Sequence, residues 1–182
     1  MYQAYPPHIA GPAVAAQRFV PPFKLTRMTW IKPSFCWMMY RCGFASKPNQ
    51  ERVLAVDVAR DEFDGALSRA SLSHFDPRVY ATPGKWEARR DASPVRVQWD
   101  PERDILLERL PYRSIQMGLG PEVAAAYASD WIVRIEDVTE LAVRLGGLPE
   151  AQRRREAAPL LEAERPYALP LEAARHLTPG LP

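Results

Sequence analysis

Hydrophobic and polar residues follow two different periods along this chain, and the helical period is clearest near residue 35. Phe35, Met38, Met39 and Cys42 fall at helical spacing and form one apolar face. A proline just before them suits the first turn of a helix, where its missing N–H would have no intrahelical partner, and Gly43 after them suits its end. The pattern therefore predicts a helix over residues 33–42.

A period of two follows in the middle of the chain. Val95, Val97 and Trp99 alternate with polar residues, which predicts a half-buried strand that begins at residue 94. We expect a turn at residues 100–104 and two further strands at residues 105–110 and 112–119. Three successive strands of this kind predict a central antiparallel meander.

The other segments alternate between short strands and helices, with no internal repeat. Strands are predicted at residues 2–5, 52–59 and 131–135, and helices at residues 8–17, 60–70, 82–89, 121–128, 137–147 and 149–164. Together these elements predict an α+β fold with short flanking helices, in a single domain over residues 1–170. Residues 171–182 are predicted to form an extended C-terminal tail, because prolines recur at the end of the chain.

Composition excludes several classes of protein. A formal net charge of +2 gives no general attraction to nucleic acid, although 20 of the 24 basic residues are arginine. That preference suits bidentate phosphate contacts, and the alternative explanation is a GC-rich genome. No apolar run approaches the roughly 20 residues that cross a bilayer, and the first residues do not show a basic segment followed by an apolar one. We therefore expect a cytoplasmic protein with no membrane partner, and the sequence leaves its oligomeric state open.

The cysteines and histidines indicate neither a disulfide nor a metal site. Cys36 and Cys42 would be separated by about 9 Å of helical rise, which is too far for a disulfide, so we expect reduced thiols. These cysteines and the three histidines lack the close spacing of a zinc site, and no metal is expected.

The basic residues around the predicted helix indicate an anion site. Arg27 and Lys32 precede the helix N-terminus, where free N–H groups favour an anion such as a phosphate, and Arg41 is a second phosphate candidate on the helix. The alternative is that these cations pair with carboxylates of the protein. Trp30 and Trp37 would stack a base if they are exposed, and would otherwise belong to the core.

Polar residues on the predicted strands form a second candidate set. Gln98, Ser114 and Gln116 fall on the non-core face by alternation, so they line a cleft or face water. Arg113 flanks them. In the catalytic hypothesis Lys32, Gln116 and Arg113 act on the reacting group.

Several signatures of known enzyme classes are missing. The chain has no phosphate-binding P-loop, no Gly-rich dinucleotide fingerprint and no Gly-x-Ser-x-Gly serine elbow. ATP hydrolysis and serine hydrolysis are therefore not expected, and His74 beside Ser73 and Asp76 is better explained as a capped turn.

Four motifs in order, namely YQAY, RMTWIKPSFCWMMYRCGF, VRVQWDPERD and YRSIQMGL, resemble one family. This is the domain of unknown function 4291 family of uncharacterised bacterial and fungal proteins, and the resemblance covers residues 2–170. Members usually begin further upstream, which implies that the first strand is truncated here. The resemblance implies no activity.

The layout of elements is also similar, at the level of the fold alone, to ADP-ribosyltransferases, which hold NAD between two small sheets. The first functional hypothesis is therefore a protein that binds a nucleotide, NAD included, or a phosphorylated RNA, as a transferase acting on NAD or on an RNA end. The alternative is a non-catalytic interaction protein whose Arg-rich helix, around Arg153, Arg154 and Arg155, docks an acidic partner.

Overall fold

Two small β-sheets and eight helices make up the part of the chain that the computed structural model describes, residues 1–178. The strands are β1 (Tyr2–Tyr5), β2 (Thr29–Ile31), β3 (Arg52–Val58), β4 (Ser71–Leu72), β5 (Val95–Arg103), β6 (Arg109–Leu119) and β7 (Ile132–Asp137). The helices are α1 (Pro7–Ala16), α2 (Phe35–Cys42), α3 (Arg60–Arg69), α4 (Pro83–Ala92), α5 (Pro121–Ser129), α6 (Thr139–Gly147), α7 (Glu150–Ala163) and α8 (Leu171–Leu177). The predicted single-domain α+β fold is confirmed.

The two sheets differ in size and in strand direction. The first has the order β1-β3-β7 and is antiparallel throughout. The second has the order β2-β6-β5-β4, in which only the pairing of β4 with β5 is parallel among the described strands. The main apolar core contains buried residues from both sheets, and a second cluster surrounds α2, α6 and α7.

Helix α2 forms where its apolar spacing predicts it. Its predicted core residues are buried, and Gly43 ends it in the left-handed conformation at φ 61°. The helix begins at Phe35, because the Ser34 side chain accepts a hydrogen bond from the Trp37 N–H (3.0 Å) and so acts as the N-cap. Cys36 and Cys42 are free thiols, as predicted.

The predicted three-stranded meander is wrong over residues 100–110. Strand β5 continues through the predicted turn as far as Arg103 and pairs with β6 as one long hairpin. The turn lies later because the Asp104 carboxylate accepts hydrogen bonds from the Leu106 and Glu108 N–H groups, both at 2.9 Å. This shift places Asp100 on a strand.

The two sheets meet where β1 passes the end of β2. The Tyr2 N–H donates to the Lys32 carbonyl (2.6 Å), and the buried Gln3 side chain donates to the Trp30 carbonyl (3.1 Å). Gln3 also donates to the Tyr5 hydroxyl and accepts from the Tyr127 hydroxyl. One amide therefore links β1, β2 and α5, and it fixes the segment that carries Lys32.

The predicted extended tail is helical over residues 171–177. Ala173, Ala174 and Leu177 are buried there, and the Trp99 indole donates to the Leu177 carbonyl (2.7 Å). The burial of these residues favours a helix over an extended strand, so the domain continues past residue 170. The last four residues of the predicted tail lie outside the described range. Within residues 1–178 no helix combines the length and the apolar character needed to cross a membrane.

We expect Gln3→Leu to lower the free energy of unfolding by about 2 to 3 kcal/mol, because it strands the buried Tyr127 hydroxyl and the Trp30 carbonyl without partners. Urea denaturation measures this change. Gln152→Leu on the exposed surface of α7 is the matched control and should change stability by less than about 0.5 kcal/mol. Equal effects of the two substitutions would show that the Gln3 network is not structural.

Candidate functional site

Polar side chains gather on one face of the second sheet, because directly opposed residues of antiparallel strands project to the same side. The opposed pairs on this face are Trp30–Gly118, Gln98–Gln116 and Asp100–Ser114. The opposite face carries buried apolar side chains such as Val97 and Met117. A close approach is built in at Gly118, where an added Cβ would lie 3.0 Å from the Trp30 ring.

Asp100 is the centre of this polar face. The Gln98 amide donates to one of its carboxylate oxygens (2.9 Å), and the Gln116 amide donates to the other (2.7 Å). Two donors of this kind hold the carboxylate in one orientation. Asp100 is absent from the predicted site because it falls in the predicted turn, although it lies two residues after Gln98 and so follows the same alternation.

Lys32 follows β2 and is an unusual buried cation. Its side chain is only 7% exposed, and its ammonium makes no hydrogen bond or ion pair with residues 1–178. The nitrogen lies 4.9 Å from the centroid of the Trp37 ring. Burial, followed by the nearby charge of Arg41, lowers the pKa of Lys32 to about 8, while the charge of Asp100 acts in the opposite direction.

Lys32 opens onto a cleft of about 640 Å³, a volume in the range of small-molecule sites. Four cationic side chains line this cleft, and none of the described lining residues is Asp or Glu. The four are Lys24, Arg27, Lys32 and Arg41. Trp30 forms part of the wall and is half-buried. In a chain with 22 acidic residues, such a lining makes this cleft strongly positive.

A second cleft, of about 480 Å³, lies on the other side of α2 and is rich in carboxylates. Glu102 accepts a hydrogen bond from the Ser34 hydroxyl (2.8 Å), and Glu164 accepts one from the Phe35 N–H (3.2 Å). The anion predicted at the α2 N-terminus is therefore supplied by the protein itself, as the Glu164 carboxylate. Burial raises the pKa of the Glu164 carboxyl.

The structure brings together part of the predicted site. Arg27, Lys32, Arg41 and Trp30 line one cleft, so the predicted phosphate ligands and one of the two stacking residues are neighbours. Arg41 is exposed and donates to the Gln50 side chain (3.0 Å). Gln98, Ser114 and Gln116 share the sheet face of Trp30 without lining the cleft.

Two predicted site residues lie elsewhere. Arg113 donates to the Trp99 carbonyl (2.8 Å) and lines a separate cavity beside His74, because it projects from the opposite side of β6 to Gln116. Trp37 is 8% exposed with the Lys32 ammonium over its ring, which leaves little surface for a stacked base.

Two of the three adjacent arginines of helix α7 bind other groups of the protein. Arg153 donates to the carbonyls of Leu145, Gly146 and Leu148 and so completes the end of α6. Arg154 pairs with Asp104 at 3.4 Å. Of the three, only Arg155 makes no side-chain hydrogen bond or ion pair with residues 1–178, and it is exposed.

Comparisons with known proteins identify a family and no activity. The sequence profile of the family described as Domain of unknown function (DUF4291) matches residues 1–167. Neither a curated protein nor a solved structure matches the chain. The fold-level similarity to ADP-ribosyltransferases thus stays a prediction. Among residues 1–178, no group of three or more His, Cys, Asp or Glu side chains is arranged to hold a metal ion.

The lowered pKa of Lys32 predicts a stability that rises with pH. The unfolded chain keeps this lysine protonated to about pH 10.5, whereas the folded protein releases the proton near pH 8. Between these values the unfolded state binds more protons, so the destabilisation is complete below pH 8 and disappears toward pH 10.5. Lys32→Met should therefore be more stable than the wild type at pH 7, by up to about 3 kcal/mol, and this difference should shrink by pH 10.

Urea unfolding at pH 7 and pH 10 measures that difference. Lys85→Met, on the exposed surface of α4, is the control and should match the wild type at both pH values. A stability difference between Lys32→Met and the wild type that does not change with pH would contradict the assignment of a desolvated ammonium.

Proposed function

The chain belongs to the family described as Domain of unknown function (DUF4291), whose description states no activity, and from the geometry of the cleft we propose that it binds a phosphate group of a nucleotide or of a nucleic-acid end. One observation carries the proposal: Lys32 is buried, its ammonium makes no hydrogen bond or ion pair with residues 1–178, and it faces a cleft lined by three further cations.

Electrostatics support an anionic ligand. A cation in a low-dielectric site is costly unless it is paired, and here the only nearby carboxylate that affects Lys32 lies beyond ion-pair distance within the described residues. An anion in the cleft would supply the missing counter-charge to Lys32 and to Arg41 at once. Binding of the ligand would then offset the free-energy cost of burying Lys32.

The composition of the wall supports a phosphate that carries a base. Arg27 and Arg41 offer planar forks that match phosphate oxygens, and Lys32 offers a point charge. Trp30 offers an aromatic surface within the same cleft, where stacking on a base contributes about 1 to 3 kcal/mol. The volume of about 640 Å³ suits a ligand of nucleotide size.

A transferase that acts on NAD or on an RNA end is the catalytic form of this proposal. Asp100 supports it, because Gln98 and Gln116 hold its carboxylate in one orientation on the sheet face that carries Trp30. Gln116 then acts through Asp100 rather than on the ligand. Arg113 has no part in this form of the proposal, since it lines a different cavity.

The alternative of docking an acidic partner through α7 has less support. Two of its three adjacent arginines already bind groups of the protein, so the free positive surface of that helix is small. The cleft around Lys32 brings four cationic side chains together in a concave site, and none of the four forms an ion pair with residues 1–178.

We expect at least one phosphate ligand to stabilise the protein in a thermal-shift screen of NAD, ATP, GTP, their diphosphates and RNAs phosphorylated at either end. At 100 times its dissociation constant a ligand stabilises the fold by about 2.7 kcal/mol, or roughly 5 to 10 °C in Tm for a domain of this size. Lys32→Ala should raise the Kd about 10- to 100-fold, because a charge-assisted hydrogen bond is lost.

Lys85→Ala is the matched control in this screen and should leave the shift unchanged, since Lys85 is exposed and does not line the cleft. Absence of a shift with every phosphate ligand, or an equal loss in both variants, would refute phosphate binding at this site.

Replacement of Trp30 tests the base separately from the phosphate. We expect Trp30→Ala to weaken binding of a nucleotide about 5- to 150-fold, the equivalent of one stacking contact, and to leave binding of pyrophosphate within a factor of about two. Isothermal titration with both ligands measures the two effects. A parallel loss for nucleotide and pyrophosphate would mean that Trp30 shapes the cleft and does not stack a base.

A further inference from the structure

Lys32 has features that phosphate binding alone does not explain. Its side chain is more than nine-tenths buried, makes no polar contact with residues 1–178, and still opens onto the cleft. The Tyr2 N–H holds its carbonyl at 2.6 Å, and the Trp37 ring lies beneath its ammonium at 4.9 Å. Contacts with Tyr2 and Trp37 therefore hold both the backbone and the side chain of Lys32 in place.

The choice of lysine at this position points to chemistry at the nitrogen. An arginine would bind phosphate at least as well and is always charged, whereas a lysine releases its proton when it is desolvated beside another cation. With a pKa of about 8, about one amine in ten is neutral at pH 7 and has a free electron pair. An ordinary lysine is neutral in fewer than about one molecule in a thousand at that pH.

We propose that Lys32 is a nucleophilic amine that forms an imine with a phosphorylated aldehyde or ketone, whose phosphate is held by Arg27 and Arg41. This inference rests on the proposed function for the phosphate and adds a substrate class to it. The cleft places one reactive amine among cations that would hold the phosphate of such a compound within reach.

The reaction is balanced without a metal or a redox partner. The electron pair of the neutral Lys32 nitrogen attacks the carbonyl carbon, and the carbonyl π electrons move to oxygen. The nitrogen loses a proton and the oxygen gains one, which gives a carbinolamine. The carbinolamine hydroxyl then takes up a proton from solvent, the nitrogen electron pair forms the C=N bond as the C–O bond breaks, water leaves, and a protonated imine remains. Asp100, whose charge already acts on Lys32, is the carboxylate that stabilises this new cation.

Pyridoxal 5′-phosphate is a direct probe, because it combines an aldehyde with a phosphate. The purified full chain is treated with it, the imine is reduced with borohydride, and the labelled peptides are identified by mass spectrometry. The chain has only four lysines, Lys24, Lys32, Lys47 and Lys85, so the assignment is unambiguous. Lys24 lines the same cleft and is exposed, which makes it an internal control.

We expect Lys32 to be labelled at least tenfold faster than the other three lysines, and pyridoxal without phosphate to label it at least tenfold more slowly. The labelling rate should rise with pH to a midpoint near 8. Ribose 5-phosphate and ribose, trapped with cyanoborohydride, should show the same dependence on phosphate. Label spread over Lys24, Lys47 and Lys85 with Lys32 unmodified, or equal labelling of Lys32 by both pyridoxals, would overturn the proposal.

Lys32→Arg separates this inference from phosphate binding. The variant keeps a cation and should retain part of the thermal shift with phosphate ligands, yet it should form no adduct at this position. A wild-type protein that shifts with phosphate ligands but forms no adduct refutes the imine and leaves phosphate binding in place. A wild-type protein that shows neither response refutes both.

Discussion

The hydrogen bonds that join β1 to β2 are the constraint on which the arrangement of the site depends. The two sheets have separate strand orders, and here the Tyr2 N–H binds the Lys32 carbonyl while the Gln3 amide binds the Trp30 carbonyl. Strand β2 has only three residues, too few for its own ladder to fix its end firmly. The contact with β1 therefore sets the position of Lys32, between the Trp37 ring and the cleft.

Carboxylates lie on one side of α2 and cations on the other, and this separation makes the cleft around Lys32 positive. Met38 and Arg41 face the cationic cleft, whereas Ser34 and Cys36 face the cleft that contains Glu102 and Glu164. The helix N-terminus takes its anion from the protein, so the free positive charge is concentrated around Lys32 instead. A near-neutral protein thereby presents a strongly positive concave site without a strongly basic sequence.

Local signals explain which parts of the fold and site the sequence predicts. Helix α2 follows from apolar spacing and from a glycine stop, and the cluster of Arg27, Lys32 and Arg41 follows from proximity in sequence to that helix. Asp100 was missed because its place depends on where the hairpin turns. That position is set by the Asp104 side chain, which no periodicity reveals. Arg113 and Gln116 are three residues apart on β6 and therefore project to opposite faces of the strand. The sequence alone could have placed Arg113 outside the site. The burial of Trp37 depends on the packing around α2 and Lys32 and has no local signal.

The charge state of Lys32 is the central claim, and nuclear magnetic resonance of protein labelled with ¹³C-lysine tests it most directly. Four lysine side-chain signals are expected, and the one lost in Lys32→Arg should titrate near pH 8, well below the ordinary lysine value of about 10.4. A bound phosphate ligand should raise the Lys32 midpoint, because its negative charge favours the ammonium. A Lys32 signal that titrates at the ordinary lysine value of about 10.4, unchanged by phosphate, would contradict a desolvated lysine that binds an anion.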